Sequence, residues 1–177
     1  MSDTADDLPM LTPPPRLFSL QGRLGRVRYI AYCMLAIVFA FLFCLVCWAG
    51  LTLLFSRPMA RTLYIVLSIL LFYGALPVFV AMQTVRRVHD FNKGGWLALL
   101  LLLPIVNPLL FWFVPGTRGD NAYGPPPQEE PHFLKLVAIV LPLLMLAGFL
   151  SAVKTREQAT KQPDAHRHPS SLQPYTP

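Results

Sequence analysis

Four stretches of this chain are long, apolar and almost free of charge: residues 29–55, 62–82, 96–114 and 133–153. The hydrocarbon core of a bilayer is about 30 Å thick, and a helix rising 1.5 Å per residue needs roughly 20 apolar residues to cross it. The first three runs meet that length without a charge. The fourth carries only Lys135 near its start, where a lysine reaches the headgroups with its ammonium while its stem stays in lipid. A soluble helical core is a poor alternative, because such runs have almost no polar face to turn to water. Charged residues make up 14% of the chain, against about 25% in soluble domains. The mean hydropathy is +0.49. The expected fold is all-α: a polytopic membrane protein with four transmembrane helices and disordered N- and C-terminal tails.

Between the second and third runs stands V-R-R-V-H-D-F-N-K-G-G-W, residues 85–96. So much charge in a short gap is expected of a water-facing link between two spans. Basic residues set the orientation. With four crossings, eleven of the fifteen lysines and arginines fall on one side: Arg16, Arg23, Arg26 and Arg28; Arg86, Arg87 and Lys93; Lys154, Arg156, Lys161 and Arg167. That side is read as cytoplasmic, with both termini on it. The net charge of +6 is then mainly a topology signal, with some attraction to anionic headgroups. No separate basic domain supports nucleic-acid binding. The first run starts too far along and is too long for a signal peptide. Residues 1–17 and 154–177, rich in Pro, Gln, Ser and charge, lack the apolar content to bury a core. His166 and His168 lie in that tail without a cysteine or carboxylate cluster, so no metal is expected.

The runs carry polar and small residues of their own. Cys33, Ala36, Ala40, Cys44 and Cys47 recur at steps of three and four, which places them on one stripe where a second helix backbone can approach. A redox or metal role for Cys44-x-x-Cys47 is the weaker reading deep in hydrocarbon. Gly74 and Pro77 bend the second run. In the third run Pro104 and Pro108 flank Asn107. Trp96 and Trp112 bracket that run as interfacial anchors and favour a full crossing. The alternative is a re-entrant hairpin turning at P-I-V-N-P, which would return residues 115–127 to the side they left. The basic residues would then divide nine to six.

Three polar blocks flank the spans: F-S-L-Q-G-R-L-G-R-V-R-Y (18–29), R-R-V-H-D-F-N-K-G-G-W (86–96) and P-G-T-R-G-D-N-A-Y-G-P-P-P (115–127). In this order they resemble the bacterial inner-membrane family known as domain of unknown function eight hundred and five. The resemblance covers roughly residues 17–127, leaving 128–153 as an extra span. The matching positions are Gly22, Arg23, Arg26 and Tyr29; Arg86, Arg87, His89, Asp90, Gly95 and Trp96; Gly116, Gly119, Asn121, Tyr123 and Gly124. Ile30, Val88, Gly94 and Phe91-Asn92 depart from the family pattern. The resemblance implies a cytoplasmic-membrane location and an architecture, not an activity or a cofactor.

Arginine's planar fork suits phosphate oxygens, so Arg23, Arg26, Arg86, Arg87 and Lys93 are candidate contacts for anionic headgroups or another phosphate, beside the simpler role of anchoring. Asp90 has Arg86 at i−4 and Arg87 at i−3 as partners. His89 and Asp90 diverge by about 100° on a helix and are not automatically a dyad. No residue is assigned a catalytic role. The expected function is a non-enzymatic scaffold, sensor or partner protein, with membrane lipids and a second copy or another membrane protein as partners. A small transporter or channel subunit is the first alternative, and an enzyme acting on a phosphate-bearing lipid the second.

Overall fold

The computed structural model describes residues 17–103 and 108–161. Residues 1–16 and 162–177, with the histidines at 166 and 168, lie outside the described residues, as do Pro104 and Asn107. Among the described residues the chain is helical and has no strand beyond one isolated bridge, Asn121 to Gly124. Helix α1 spans Arg26–Leu54, α2 Arg57–Ile69, α3 Leu76–Asp90 and α4 His132–Lys161.

The second apolar run is longer than its hydropathy alone implies. α2 passes through a wide π turn, Leu70–Ala75, into α3. Pro77 accounts for the irregularity: it has no N–H to give to the preceding turn, and the chain widens just before it. Together α2, the π turn and α3 form one 34-residue span, Arg57–Asp90. The expected link at 83–95 therefore starts as helix. Gln83, Thr84, Arg86, Arg87, Val88 and Asp90 are buried in it. This helical part does not face water as expected, because most of its polar groups find partners within the protein, while Asn92 and Lys93 beyond it are exposed.

α1 and α2 form a tight antiparallel hairpin about Ser56. Cys33, Ala40 and Cys44 are buried along α1. Cys44 Sγ lies 3.8 Å from Ser68 Oγ of α2. The small-residue stripe thus meets a neighbouring helix, as its spacing predicts, although Ala36 and Cys47 are only half-buried.

The third apolar run departs most from expectation. It is not one spanning helix: a 3₁₀ segment, Gly95–Leu102, and a π segment, Pro108–Phe113, lie on either side of residues 104–107. Both ends of the run meet the same end of α3. Leu97, Ala98 and Leu100 pack on the cluster of Leu24, Tyr29, Val88 and Phe111, and so do Leu110 and Trp112. Thr117 N donates to the carbonyl of Asp90 at 2.8 Å. The run leaves the end of α3 and comes back to it. This return has the geometry of the re-entrant alternative, and the expected full crossing is not confirmed. Two prolines, at 104 and 108, deny this run the continuous backbone hydrogen bonding that a span requires.

α4 follows on the same side. Ala31, five residues into α1, packs on Val137 and Ala138, five and six residues into α4. The two helices start together and run parallel. Among the described residues, three helices are long and apolar enough to cross a bilayer: Arg26–Leu54, Arg57–Asp90 and His132–Thr160. A membrane crossed by all three would put the start of α1 and the end of α4 on opposite faces, so the expected count of four crossings is not confirmed. α4 also continues beyond Val153, where the tail was expected to begin. Its last turns are made of good helix formers, and Thr155 and Thr160 bond back to the carbonyls of Ser151 and Arg156.

Candidate functional site

The turn-back of the third run gathers all three polar blocks at one end of the bundle. At their centre is Asp90, the last residue of α3. Arg87, one turn earlier, donates Nη1 to Asp90 Oδ2. Arg23, from the loop before α1, donates Nε at 3.0 Å and Nη2 at 2.9 Å to Asp90 Oδ1. Of the two partners that spacing offers Asp90, the structure selects Arg87 at i−3. Arg86 instead donates Nη1 to Gln83 Oε1 at 3.3 Å.

The two guanidiniums also collect backbone carbonyls. Arg23 Nη1 donates to Gly119 O at 2.6 Å and Gly124 O at 3.3 Å, and its Nη2 to Thr117 O at 2.6 Å. Arg87 Nε donates to Phe111 O at 2.9 Å, its Nη1 to Leu24 O at 3.4 Å, and its Nη2 to Val114 O. Its guanidinium carbon lies 4.5 Å over the ring of Phe91, a favourable placement for a cation. One carboxylate and six carbonyl oxygens thus surround two cations. All three nitrogens of each guanidinium are in use. Arg87 is fully buried, and Arg23 and Asp90 are nearly so. Two buried positive charges against one negative would be costly without this ring of acceptors.

The turn glycines allow the loops to close on the node. Gly119, at φ +70°, and Gly124, at φ +120°, hold left-handed conformations beside the carbonyls that Arg23 binds. Gly116 is required for a different reason: a Cβ there would fall 1.9 Å from Asp90 Oδ2. Asn121 fastens the same loop, donating Nδ2 to His89 O and to Thr117 Oγ1, both at 2.9 Å, and accepting Tyr123 N at Oδ1. Tyr123 stacks flat on His89, with ring centroids 3.9 Å apart. His89 and Asp90 therefore serve different contacts and form no dyad.

The remaining motif positions lie around this node. Leu24 N donates to Arg86 O at 3.1 Å, which seats the first block on α3, and Gly22 makes the turn at φ +82°. Tyr29 OH and Thr84 Oγ1 are 3.1 Å apart. Gly95 packs against Val85 and His89, where a Cβ would come within 3.2 Å of Val85 Cγ1. Trp96 lies apart, 74% exposed. Of the five cations proposed as phosphate contacts, Arg23, Arg86 and Arg87 are buried. Arg26 and Lys93 are exposed, and Arg26 makes only a long bond of 3.4 Å to Phe113 O. Sequence reasoning missed Thr117, whose amide and hydroxyl both bond Asp90 O. It also missed Gln83, which donates to Leu17 O, while Arg28, counted there only as a cation, donates to Glu129 O. The signal for Gln83-Thr84 was a polar pair just past the end of an apolar run.

A family model described as protein of unknown function (DUF805) matches residues 17–125, a stretch that contains the first two blocks and all but the last two prolines of the third. The inner membrane protein YhaH of Escherichia coli K12 is 42% identical over 64 residues, 33% of this chain and 52% of YhaH. The chain therefore spans about half the length of that relative. The inner membrane protein YhaI of the same organism is 30% identical over 110 residues, 60% of this chain and 86% of YhaI. No solved structure matches.

Proposed function

This chain belongs to the DUF805 family, whose similar members YhaH and YhaI are inner membrane proteins, and we propose that it is a non-enzymatic partner or scaffold protein of the bacterial inner membrane. The observation that carries this reading is the use made of the motif residues. Arg23, Arg87 and Asp90 spend their hydrogen bonds on each other and on the loop 111–124. The motifs build a fixed polar platform at one end of three apolar helices. What the platform offers outward is the exposed pair Arg26 and Lys93 and the loop through Tyr123.

The platform end is placed in the cytoplasm. With the third run re-entrant, nine of the fifteen basic residues lie at that end by sequence: Arg16, Arg23, Arg26, Arg28, Arg86, Arg87, Lys93, Arg118 and Lys135. The C-terminal end of α4 is then periplasmic. Arg26 and Lys93 meet phosphates of the inner leaflet, and a second copy or another membrane protein docks on the loop face. Photocrosslinking from position 123 in living cells, followed by mass spectrometry, tests the reading. Capture of one reproducible membrane-protein or lipid partner is expected. Solute flux through reconstituted vesicles, or turnover of a phospholipid headgroup by the purified protein, would overturn it.

A further inference from the structure

Beside the node, where α1 begins, a cleft of about 250 Å³ is lined by Gly25, Arg26, Asp90, Gly116, Thr117 and Glu130, among others. Its walls carry opposite charges. Arg26 and Glu130 both border it, and among the described residues neither makes an ion pair. Glu130 reaches in because residue 25 has no side chain: a Cβ there would come 2.6 Å from Glu130 Oε1. The floor is Asp90, whose single negative charge faces two guanidiniums, so the floor is positive overall. α1 also starts here without a side-chain cap, adding the partial positive charge of its first N–H groups.

A simple anion entering this cleft is repelled by Glu130, and a simple cation by Arg26 and the node. A molecule carrying both charges a few ångströms apart satisfies both walls. The volume is below the roughly 300 Å³ at which pockets begin to hold drug-sized ligands, and so it suits a headgroup. The cleft opens at the first residue of a membrane span, the level of phospholipid phosphates. We propose that this cleft binds the headgroup of a phospholipid bearing a primary ammonium, of the phosphatidylethanolamine class, with its phosphate on Arg26 and its ammonium on Glu130. The proposal rests on the reading that the platform lies at headgroup level, and it adds the identity of the lipid.

Native mass spectrometry of the full chain in detergent, titrated with phosphatidylethanolamine, phosphatidylcholine and phosphatidylglycerol, tests it. Phosphatidylethanolamine should be retained roughly tenfold better than the other two, the worth of one charge-assisted hydrogen bond. Phosphatidylcholine has no ammonium proton to donate, and phosphatidylglycerol meets the Glu130 carboxylate. Glu130→Gln should erase the preference, and Arg26→Gln should weaken retention of all three. Both side chains are outside the core, so the melting temperature should hold. Equal retention of the three lipids overturns the proposal, and so does a preference that survives Glu130→Gln. Tighter binding of phosphatidylglycerol would overturn it while leaving the headgroup-level reading in place. Retention of no phospholipid would overturn both. Equally tight binding of soluble glycerophosphoethanolamine would overturn the assignment to a lipid.

Discussion

Asp90 is the residue on which the motif end depends, and its burial gives its substitutions a sign. Asp90→Asn leaves two buried guanidiniums facing each other without a counter-charge. Breaking a buried pair from one side costs about 3–5 kcal/mol, and a drop in melting temperature in detergent should show it. Arg87→Lys keeps the charge but has one nitrogen where the arginine uses three, for Asp90 and for the carbonyls of Phe111, Leu24 and Val114. A loss of about 2 kcal/mol or more is expected from the acceptors left unpaired, without a change of membrane orientation. Gly116→Ala should destabilise comparably, because its methyl group would occupy the position of the Asp90 carboxylate. A variant with unchanged melting at any of these positions would remove the node as the organiser of the platform.

At the scale of elements, the decisive one is the re-entrant run. Single cysteines at 93 and 118, in a background with Cys33, Cys44 and Cys47 replaced, should both react with an impermeant thiol reagent from the same face of the membrane. Labelling from opposite faces would restore the full crossing. The α1 stripe yields a second measurement. Cys44→Leu forces extra volume against Ser68 of α2 and should cost about 1–3 kcal/mol, while Ala49→Leu, at an exposed position of α1, should be close to neutral. Much of this was legible in the sequence. Run lengths, the small-residue stripe and the three motif blocks follow from local composition and periodicity. The third run was not settled, because hydropathy measures how greasy a segment is and not whether its backbone bonds are continuous. Its length and its tryptophans favoured a crossing, while Pro104 and Pro108 pointed the other way. The partners of Asp90 were half legible: Arg87 at i−3 follows from helix geometry, but Arg23 lies 67 residues away and is brought close only by tertiary packing.

At the scale of the whole molecule, a membrane crossed by the three candidate spans of the described residues would leave the start of α1 and the end of α4 on opposite faces. A reporter fused after Lys161 should therefore read periplasmic, and one fused ahead of Arg23 cytoplasmic. The same face for both would overturn the fold as well as the orientation. The node also has a history in time. Arg23 binds a carbonyl 101 residues further along, at Gly124. At synthesis rates of about 5–20 residues per second, it waits roughly 5–20 s for that partner to emerge. Asp90 arrives in between, and the carbonyls of 117–124 come last. Residue 23, residue 90 and the loop meet only if the first two spans have both crossed and the third run has turned back. A chain in which only one of the two spans has crossed leaves Arg23 and Asp90 in different compartments. Closure of the node therefore comes last, after both spans and the turn-back are in place.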